Sequence, residues 1–166
     1  MSKKLLLIAT GGTIASRPAE DGLTPEMTSE ELLQCIPEVR SLCEIDTVQP
    51  FNLDSTNMRP QNWVELVKII REKYESYDGF VITHGTDTMP ETARYLLEHA
   101  DLGNKVVVLT GAMQPAVMAR SDAGFNLGAA IAALNLLEPG VYISMSGRIF
   151  PAESVRKDRS RGIFEG

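Results

Sequence analysis

The segment Phe80-Val-Ile-Thr-His-Gly-Thr86 is the most informative about the fold, because a short and wholly apolar run passes directly into hydroxyl groups and a glycine. A similar pattern occurs at residues 5–13, 106–111 and 141–147. A continuous apolar run without polar alternation is typical of a strand that is covered on both faces, as in a parallel sheet. The four segments therefore predict the central strands of a parallel sheet.

Two helices are predicted between the first and second of these runs. Thr28-Ser-Glu-Glu31 is a capping box, and it predicts a helix that extends to about Ile36. Pro60 precedes apolar residues that fall on one helical face as far as Tyr74, and proline is favoured in the first turn of a helix. The chain therefore alternates strands with helices from its beginning.

Further helices follow the second and third runs. Thr88-Met-Pro-Glu91 predicts a second capping box, and residues 122–137 predict a helix that is buried on most sides and ends before Pro139-Gly140. This alternation predicts an α/β fold of three layers, in which a mostly parallel sheet carries helices on both faces. Because no linker interrupts the pattern, we expect residues 1–166 to form a single domain.

The composition excludes several classes of protein. The chain has 166 residues and a formal net charge of −6, so nucleic acid and anionic membranes are poor partners. The apolar run that stops at Gly11 is too short for the core of a signal peptide, and we expect a cytoplasmic protein. Cys35 and Cys43 match no zinc pattern, and we expect them to be reduced thiols that are at least partly buried.

Hydroxyl groups and glycines stand where each predicted strand ends. Ligands of parallel sheets bind beyond the carboxyl ends of the strands. Glycine lets backbone amides approach a ligand closely. We therefore expect residues 10–13, 83–87 and 110–113 to converge on one cleft.

Three groups of polar residues are candidates for chemistry in this cleft. Thr13 lies in a glycine-rich turn, where the alternative is a threonine that caps a local amide. Thr86 and Asp87 place a hydroxyl beside a carboxylate, which can activate a nucleophile, although Asp87 also fits an acid at a helix terminus. Residues 54–58 fit either a site for the ammonium and carboxylate of an amino acid or a solvated loop.

Three segments together resemble a known family. Ala9-Thr-Gly-Gly-Thr-Ile-Ala15 and Val81-Ile-Thr-His-Gly-Thr-Asp-Thr-Met89 resemble the two signature segments of bacterial-type L-asparaginases, and Gly111-Ala-Met-Gln-Pro115 with residues 121–126 is similar to the next segment. The resemblance covers essentially the whole chain, but only the N-terminal catalytic domain of the usual two-domain enzyme. It implies hydrolysis of L-asparagine to L-aspartate and ammonia through a threonyl ester, without a metal or an organic cofactor.

The resemblance also implies the roles of individual residues. Thr13 matches the primary nucleophile, Thr86 the second catalytic threonine, Asp87 the acid beside it, and Lys157 the lysine that completes a Thr-Asp-Lys relay. A lysine can hold Asp87 ionised and, if desolvated, can pass protons. The residues expected to bind substrate are Gly12, Asp54, Ser55, Thr56, Gly85, Ala112 and Met113.

Other interpretations remain open for the basic and histidine residues. Lys157 lies in a basic cluster with Arg156, Arg159 and Arg161, and we interpret all but Lys157 as a solvated terminal segment. His84 lies inside the signature segment, where a structural histidine with satisfied hydrogen bonds is favoured over a general base.

The sequence departs from the family pattern in three places. Leu23 stands where longer relatives often have a tyrosine that orients the nucleophile, and Thr56 stands where many have glutamine. Residues 156–166 resemble a natural chain end, so we expect the chain to lack the second domain that closes the site in longer relatives. We therefore expect a homodimer or larger homo-oligomer, with an interface at the helix after Asp122 or at residues 150–157.

Two other functions remain as alternatives to an asparaginase. Within the same class, the chain could be a glutaminase or act on another side-chain amide. In a different class, it could be a non-catalytic amino-acid-binding or regulatory module. The presence of Thr13, Thr86, Asp87 and Lys157 together favours an enzyme, because a binding module has no need of both hydroxyls and the lysine.

Overall fold

A computed structural model describes residues 3–166 and shows a mixed sheet with helices on both faces. The strands are β1 (Lys4–Ala9), β2 (Ser16–Ala19), β3 (Gly22–Pro25), β4 (Glu44–Val48), β5 (Gly79–Thr83), β6 (Val106–Thr110), β7 (Gly140–Met145), β8 (Arg148–Pro151), β9 (Arg156–Asp158) and β10 (Ile163–Glu165). The α-helices are α1 (Ser29–Cys35), α2 (Val39–Leu42), α3 (Pro60–Lys73), α4 (Met89–His99) and α5 (Ala123–Ala133).

The central sheet has six strands in the order β4-β1-β5-β6-β7-β8. The first five strands of this order are parallel, and β8 returns antiparallel to β7. The four predicted strands are β1, β5, β6 and β7, which occupy the middle of the sheet. The predicted fold class, a mostly parallel sheet, is confirmed.

Alternate residues of β1 face two separate apolar cores, which explains why its sequence shows no polar alternation. Leu6 and Ile8 pack with residues of α3 and α4 on one face. Leu5 and Leu7 pack with residues of α1 and α5 on the other. The sheet is therefore the middle layer of three. No helix within residues 3–166 is long and apolar enough to cross a membrane.

The two predicted capping boxes have different outcomes. At α1 the box is confirmed, because the Thr28 hydroxyl accepts from the Glu31 amide and the Glu31 carboxylate accepts from the Thr28 amide. At α4 the prediction is wrong. The Thr88 hydroxyl makes no cap hydrogen bond and instead donates to the Ser55 carbonyl, 2.9 Å away.

The predictions for α5 and for one cysteine need correction. The helix is shorter than residues 122–137, and one face of it is exposed, with Phe125 at 65% of its possible surface. Cys35, the last residue of α1, is exposed, so the expectation that both thiols are partly buried is wrong for Cys35 and correct for Cys43. Phe125 and Cys35 are exposed because their side chains point away from the core that their helices cover.

Two hairpins flank the carboxyl edge of the central sheet. Strands β2 and β3 pair antiparallel after Thr13 and hold Leu23, which is half exposed. Strands β9 and β10 pair antiparallel, and Phe164 packs on Phe150 of β8 with ring centroids 6.3 Å apart. The basic terminal segment therefore forms a hairpin that is anchored to the domain core.

Candidate active site

Glycines bring three chain segments into backbone contact at the carboxyl edge of the sheet. A Cβ atom on Gly12 would lie only 2.4 Å from the Cα of Gly85, and Gly12 has a φ of +78° that favours glycine. A Cβ atom on Gly85 would lie 2.6 Å from the Cβ of Ser55. Thr13 and Thr86 each follow one of the two touching glycines. The predicted convergence of residues 10–13 and 83–87 is therefore present.

Thr13 begins a single turn of 3-10 helix, Thr13–Ala15, and is half buried. The turn is fixed from both sides of Gly12. The Gly12 amide donates to the Leu53 carbonyl at 2.8 Å, and the Ser16 hydroxyl donates to the Gly12 carbonyl at 2.9 Å. The position of Thr13 thus depends on the backbone around it.

Lys157 joins the two polar residues that follow β5. Its Nζ donates to the Thr86 hydroxyl at 2.7 Å and to the Asp87 carboxylate at 2.6 Å. The lysine side chain is only 8% exposed, whereas that of Asp87 is 48% exposed. A buried ammonium that contacts one carboxylate and one hydroxyl can exchange protons with that hydroxyl.

Strand alternation explains why one member of the basic cluster enters the site. Along β9, Lys157 points inward, whereas Arg156 points outward with 78% of its side chain exposed and pairs with Glu165. The strand is also held to α4, because Arg94 donates to the Val155 carbonyl at 2.8 Å. The interpretation of Arg156 as a solvated residue is therefore confirmed.

Arg159 was not expected near the site. It lies in the hairpin turn, with 65% of its side chain exposed, and its guanidinium donates to the Asp87 carbonyl at 3.1 Å. Its guanidinium also lies 4.0 Å from the Glu91 carboxylate. Residue spacing alone carries no signal for this contact, because it depends on how the hairpin folds back over the start of α4.

The 54–56 loop lies beside Asp87 and is fixed by its own hydrogen bonds. The Asp54 carboxylate accepts from the Thr56 amide at 2.8 Å and from the Thr56 hydroxyl at 2.6 Å. The Ser55 hydroxyl is buried and accepts from the Asp87 amide at 3.2 Å. Asp54 and Thr56 are exposed, so their remaining lone pairs face the solvent side of the cleft.

His84 is fully buried and lies behind the site in a chain of hydrogen bonds. Trp63 donates to the Thr92 hydroxyl at 2.8 Å, so that hydroxyl donates its own proton to His84 Nε2 at 2.9 Å. His84 Nδ1 therefore carries the hydrogen, and it donates to the Gly85 carbonyl at 2.6 Å. Burial lowers the pKa of His84 to about 4, which keeps the ring neutral. The interpretation of His84 as a structural histidine agrees with this arrangement.

The segment after β6 completes the edge of the site. A Cβ atom on Gly111 would lie 2.4 Å from the His84 carbonyl oxygen and 3.6 Å from the Thr86 methyl group. The next residue, Ala112, is buried, and Met113 is 49% exposed. Residues 110–113 therefore join the cleft as expected.

The described chain, residues 3–166, contains no group of three or more His, Cys, Asp or Glu side chains that could hold a metal ion. What the cleft does contain is a pair of threonines, a carboxylate and a buried lysine. Hydroxyl groups beside a lysine and a carboxylate are the kind of set that a site with a hydroxyl nucleophile requires, and here they lie on an α/β fold.

The chain belongs to the asparaginase family, since the family model described as "Asparaginase, N-terminal" matches residues 4–163. It is 37% identical over 161 residues to the L-asparaginase of Thermococcus kodakarensis, covering 96% of this chain and 49% of that protein. It is 34% identical over 166 residues to a probable periplasmic L-asparaginase of Haemophilus influenzae, covering 96% of this chain and 47% of that protein. The chain thus spans about half the length of these relatives.

A relative with a different name is also similar. The chain is 37% identical over 123 residues to one of the subunits of the glutamyl-tRNA(Gln) amidotransferase of Archaeoglobus fulgidus, and the match covers 73% of this chain and 29% of that protein. Membership of the family is therefore compatible with more than one biological context.

Solved structures agree with the fold. The thermostable L-asparaginase from Thermococcus kodakarensis matches with a TM-score of 0.83 and 35% identity over 98% of this chain and 51% of that one. A probable cytoplasmic L-asparaginase from Campylobacter jejuni matches with a TM-score of 0.81 and 35% identity over 95% of this chain and 49% of that one.

Proposed function

We propose that this chain hydrolyses L-asparagine to L-aspartate and ammonia through a threonyl ester. The observation that carries the proposal is the contact of the buried Lys157 ammonium with both the Thr86 hydroxyl and the Asp87 carboxylate. A lysine bound only for stability has no need to contact a hydroxyl at the mouth of a cleft. Its contact with two residues of the family signature supports a chemical role.

In the proposed reaction, the Thr13 oxygen attacks the side-chain amide carbon of asparagine. The C–N bond then breaks, ammonia leaves with the proton taken from the hydroxyl, and an aspartyl ester remains on Thr13. Water attacks this ester, the ester C–O bond breaks, and L-aspartate is released with the hydroxyl restored. Backbone amides near Thr13 and Thr86 are proposed to stabilise the oxyanion of each step.

Thr86, Asp87 and Lys157 are proposed to carry protons during these steps. Because Lys157 donates to the Thr86 oxygen, the hydroxyl hydrogen of Thr86 is directed away from the lysine, toward the cleft. Asp87 holds the Lys157 side chain in place through the contact of 2.6 Å between its carboxylate and Nζ. The lysine can thus return a proton to the departing amine through Thr86.

The ends of the substrate are proposed to lie between the 54–56 loop and residues 112–113. Asp54 is a suitable partner for the substrate ammonium, because its carboxylate is exposed and held rigidly by the two hydrogen bonds from Thr56. The buried Ala112 follows Gly111, which lies near the Thr86 methyl group, so we propose that backbone groups of Ala112 contact the substrate carboxamide.

The direct test is steady-state ammonia release from a panel of side-chain amides. The proposal predicts that L-asparagine has the highest kcat/KM, with L-glutamine lower. A reversed order would assign the chain to the glutaminase alternative. No ammonia from any amide, together with tight binding of L-asparagine, would support the alternative of a binding or regulatory module.

We also propose that residues 1–166 act as a single catalytic domain in a homodimer or larger homo-oligomer. Helix α5 supports an interface, because it carries no charged residue and exposes Phe125 beside the small side chains of Ala129 and Ala132. Such an apolar exposed face is typical of a surface that contacts a partner. The other candidate, residues 150–157, is less suitable because Phe150, Ala152 and Val155 are buried within the chain.

We propose a cytoplasmic location as well. The name of the Campylobacter jejuni structure supports it, whereas that of the Haemophilus influenzae relative points to the periplasm. The exposed and unpaired Cys35 is compatible with a reducing compartment. Cell fractionation with an antibody to the chain decides between the two compartments.

A further inference from the structure

Asp122 holds the segment that follows β6. Its carboxylate lies just before α5 and accepts from the Met113 amide, with 3.0 Å to each oxygen, and from the Gln114 amide at 3.0 Å. Hydrogen bonds to an ionised carboxylate are stronger and shorter than those between neutral groups. One carboxylate thus fixes two successive peptide units next to Ala112.

Asn126 lies one helical turn further on and is fully buried. Its Nδ2 donates to the Gly111 carbonyl at 3.0 Å and to the Asp122 carboxylate at 2.9 Å, and its Oδ1 accepts from the Ser146 amide at 3.1 Å. This single carboxamide therefore ties the ends of β6 and β7 to the start of α5.

These contacts fix the backbone on both sides of Ala112. The carbonyl before it, on Gly111, is bound by Asn126, and the amide after it, on Met113, is bound by Asp122. The backbone groups of Ala112 are then held in one orientation, directly after Gly111, whose Cβ position lies 3.6 Å from the methyl group of Thr86. A backbone segment that is held in one orientation can in turn orient a substrate that binds to it.

We infer that Asp122 and Asn126 are positioning residues, which set the orientation of the Ala112 backbone against the substrate carboxamide. This inference rests on the proposed function. The alternative is that the same network only stabilises the fold. The two differ in whether catalysis responds more strongly than stability when the network is altered.

The test is the substitution Asp122→Asn, which keeps the size of the side chain. The new side-chain NH₂ group would replace one of the two carboxylate oxygens and would face either a backbone N–H or Asn126 Nδ2. Two hydrogen-bond donors would then oppose each other, and the 111–114 segment would shift. We expect kcat/KM for L-asparagine to fall by about 10- to 100-fold, mostly in kcat, because small misplacements near a reacting group have effects of this size. Hydrogen exchange at the Met113 and Gln114 amides should become faster.

The matched control is Ser121→Ala. This serine donates to the Gln114 carbonyl and accepts from the Ala123 amide in the same segment, and these hydrogen bonds involve neither Met113 nor Gly111. We expect its melting temperature to fall by a similar amount while kcat stays within about twofold of wild type. Asn126→Ser provides a second variant, and it should reproduce the kcat loss of Asp122→Asn.

The outcomes separate this inference from the proposed function. Full kcat in folded Asp122→Asn and Asn126→Ser variants would overturn the positioning role and leave the asparaginase proposal intact, as would a Ser121→Ala variant that loses kcat equally. A wild-type chain that neither releases ammonia nor binds L-aspartate in calorimetry would overturn both.

Discussion

Lys157 is the residue on which the proposed chemistry depends most. In Lys157→Met, the side chain keeps much of its volume but loses its charge and both hydrogen bonds. We expect kcat for asparagine to fall by about 100-fold or more, which is the usual contribution of a positioned proton donor. Asp87 is half exposed, so the free energy of unfolding should change by only about 1 kcal/mol.

The neighbouring Arg156 supplies a matched control for this prediction. It lies on the same strand but points outward, so Arg156→Met should leave turnover close to wild type. Measured kcat values for the two variants, with urea unfolding of each, separate chemistry from packing. Normal turnover in Lys157→Met would mean that this lysine has no catalytic role and belongs with the solvated residues of the terminal segment.

His84 gives the chain a predictable dependence of stability on pH. Its pKa is about 4 in the folded chain, against a value of 6.5 for an unperturbed histidine. The unfolded chain therefore binds a proton at a higher pH than the folded chain does. The contribution of His84 is fully present above pH 6.5 and is lost as the pH falls from 6.5 toward 4.

Between pH 7 and pH 4.5, this loss corresponds to roughly 2 kcal/mol. Urea unfolding across this range should show a shallower pH dependence for His84→Gln than for wild type. Equal slopes in wild type and His84→Gln would mean that His84 is not buried in its neutral form.

At the scale of elements, continuous apolar runs predicted the central strands well. The edge strands were missed for a physical reason. Strand β4, Glu44–Val48, is an edge strand with exposed acidic residues, so its sequence alternates and lacks the continuous apolar run. Strand β8 reverses direction after a turn at Ser146, which has a φ of +53°, and pairs antiparallel.

The candidate site could be predicted only in part. Short motifs identified the residues that follow β1, β5 and β6, because parallel strands end at one edge. The contacts of Asp122, Asn126 and Arg159 with the site could not be predicted, since each depends on how a helix or a hairpin folds back over that edge. The capping box predicted at Thr88 failed for the same reason, because the Thr88 hydroxyl donates to the distant Ser55 carbonyl and does not cap α4.

The contact between the β1 and β5 ends gives a prediction at this scale. In Gly12→Ala, the new Cβ atom would lie 2.4 Å from backbone atoms of Gly85 and would force the two segments apart. We expect a loss of stability of about 3 kcal/mol or more, together with loss of turnover. Urea unfolding and ammonia release measure both effects.

Gly22 provides the control for this substitution. It also has a positive φ, of +124°, but no atom lies within 4 Å of its Cβ position. Gly22→Ala should therefore lose only about 1 kcal/mol, which is the effect of the backbone conformation alone. Equal losses in the two variants would refute the role of close packing between Gly12 and Gly85.

At the scale of the whole molecule, the proposed oligomer can be tested through α5. Light scattering during size exclusion at micromolar concentration should give at least twice the chain mass of 18.2 kDa. Phe125→Asp places a charge on the exposed face of α5 and should shift the chain toward a monomer. Val64→Asp, which changes a 55% exposed residue of α3 on the opposite face of the sheet, should not. A wild-type monomer at this concentration would contradict the proposal.

We propose above all that Thr13 is the nucleophile for the hydrolysis of asparagine in this chain. The measurement that tests it most directly is ammonia release at saturating L-asparagine, by wild type and by Thr13→Ala in parallel. We predict steady turnover by wild type and a loss of several orders of magnitude in Thr13→Ala, because the nucleophile is gone. Turnover by Thr13→Ala that is close to wild type, or no ammonia from a folded wild-type chain, would contradict the claim.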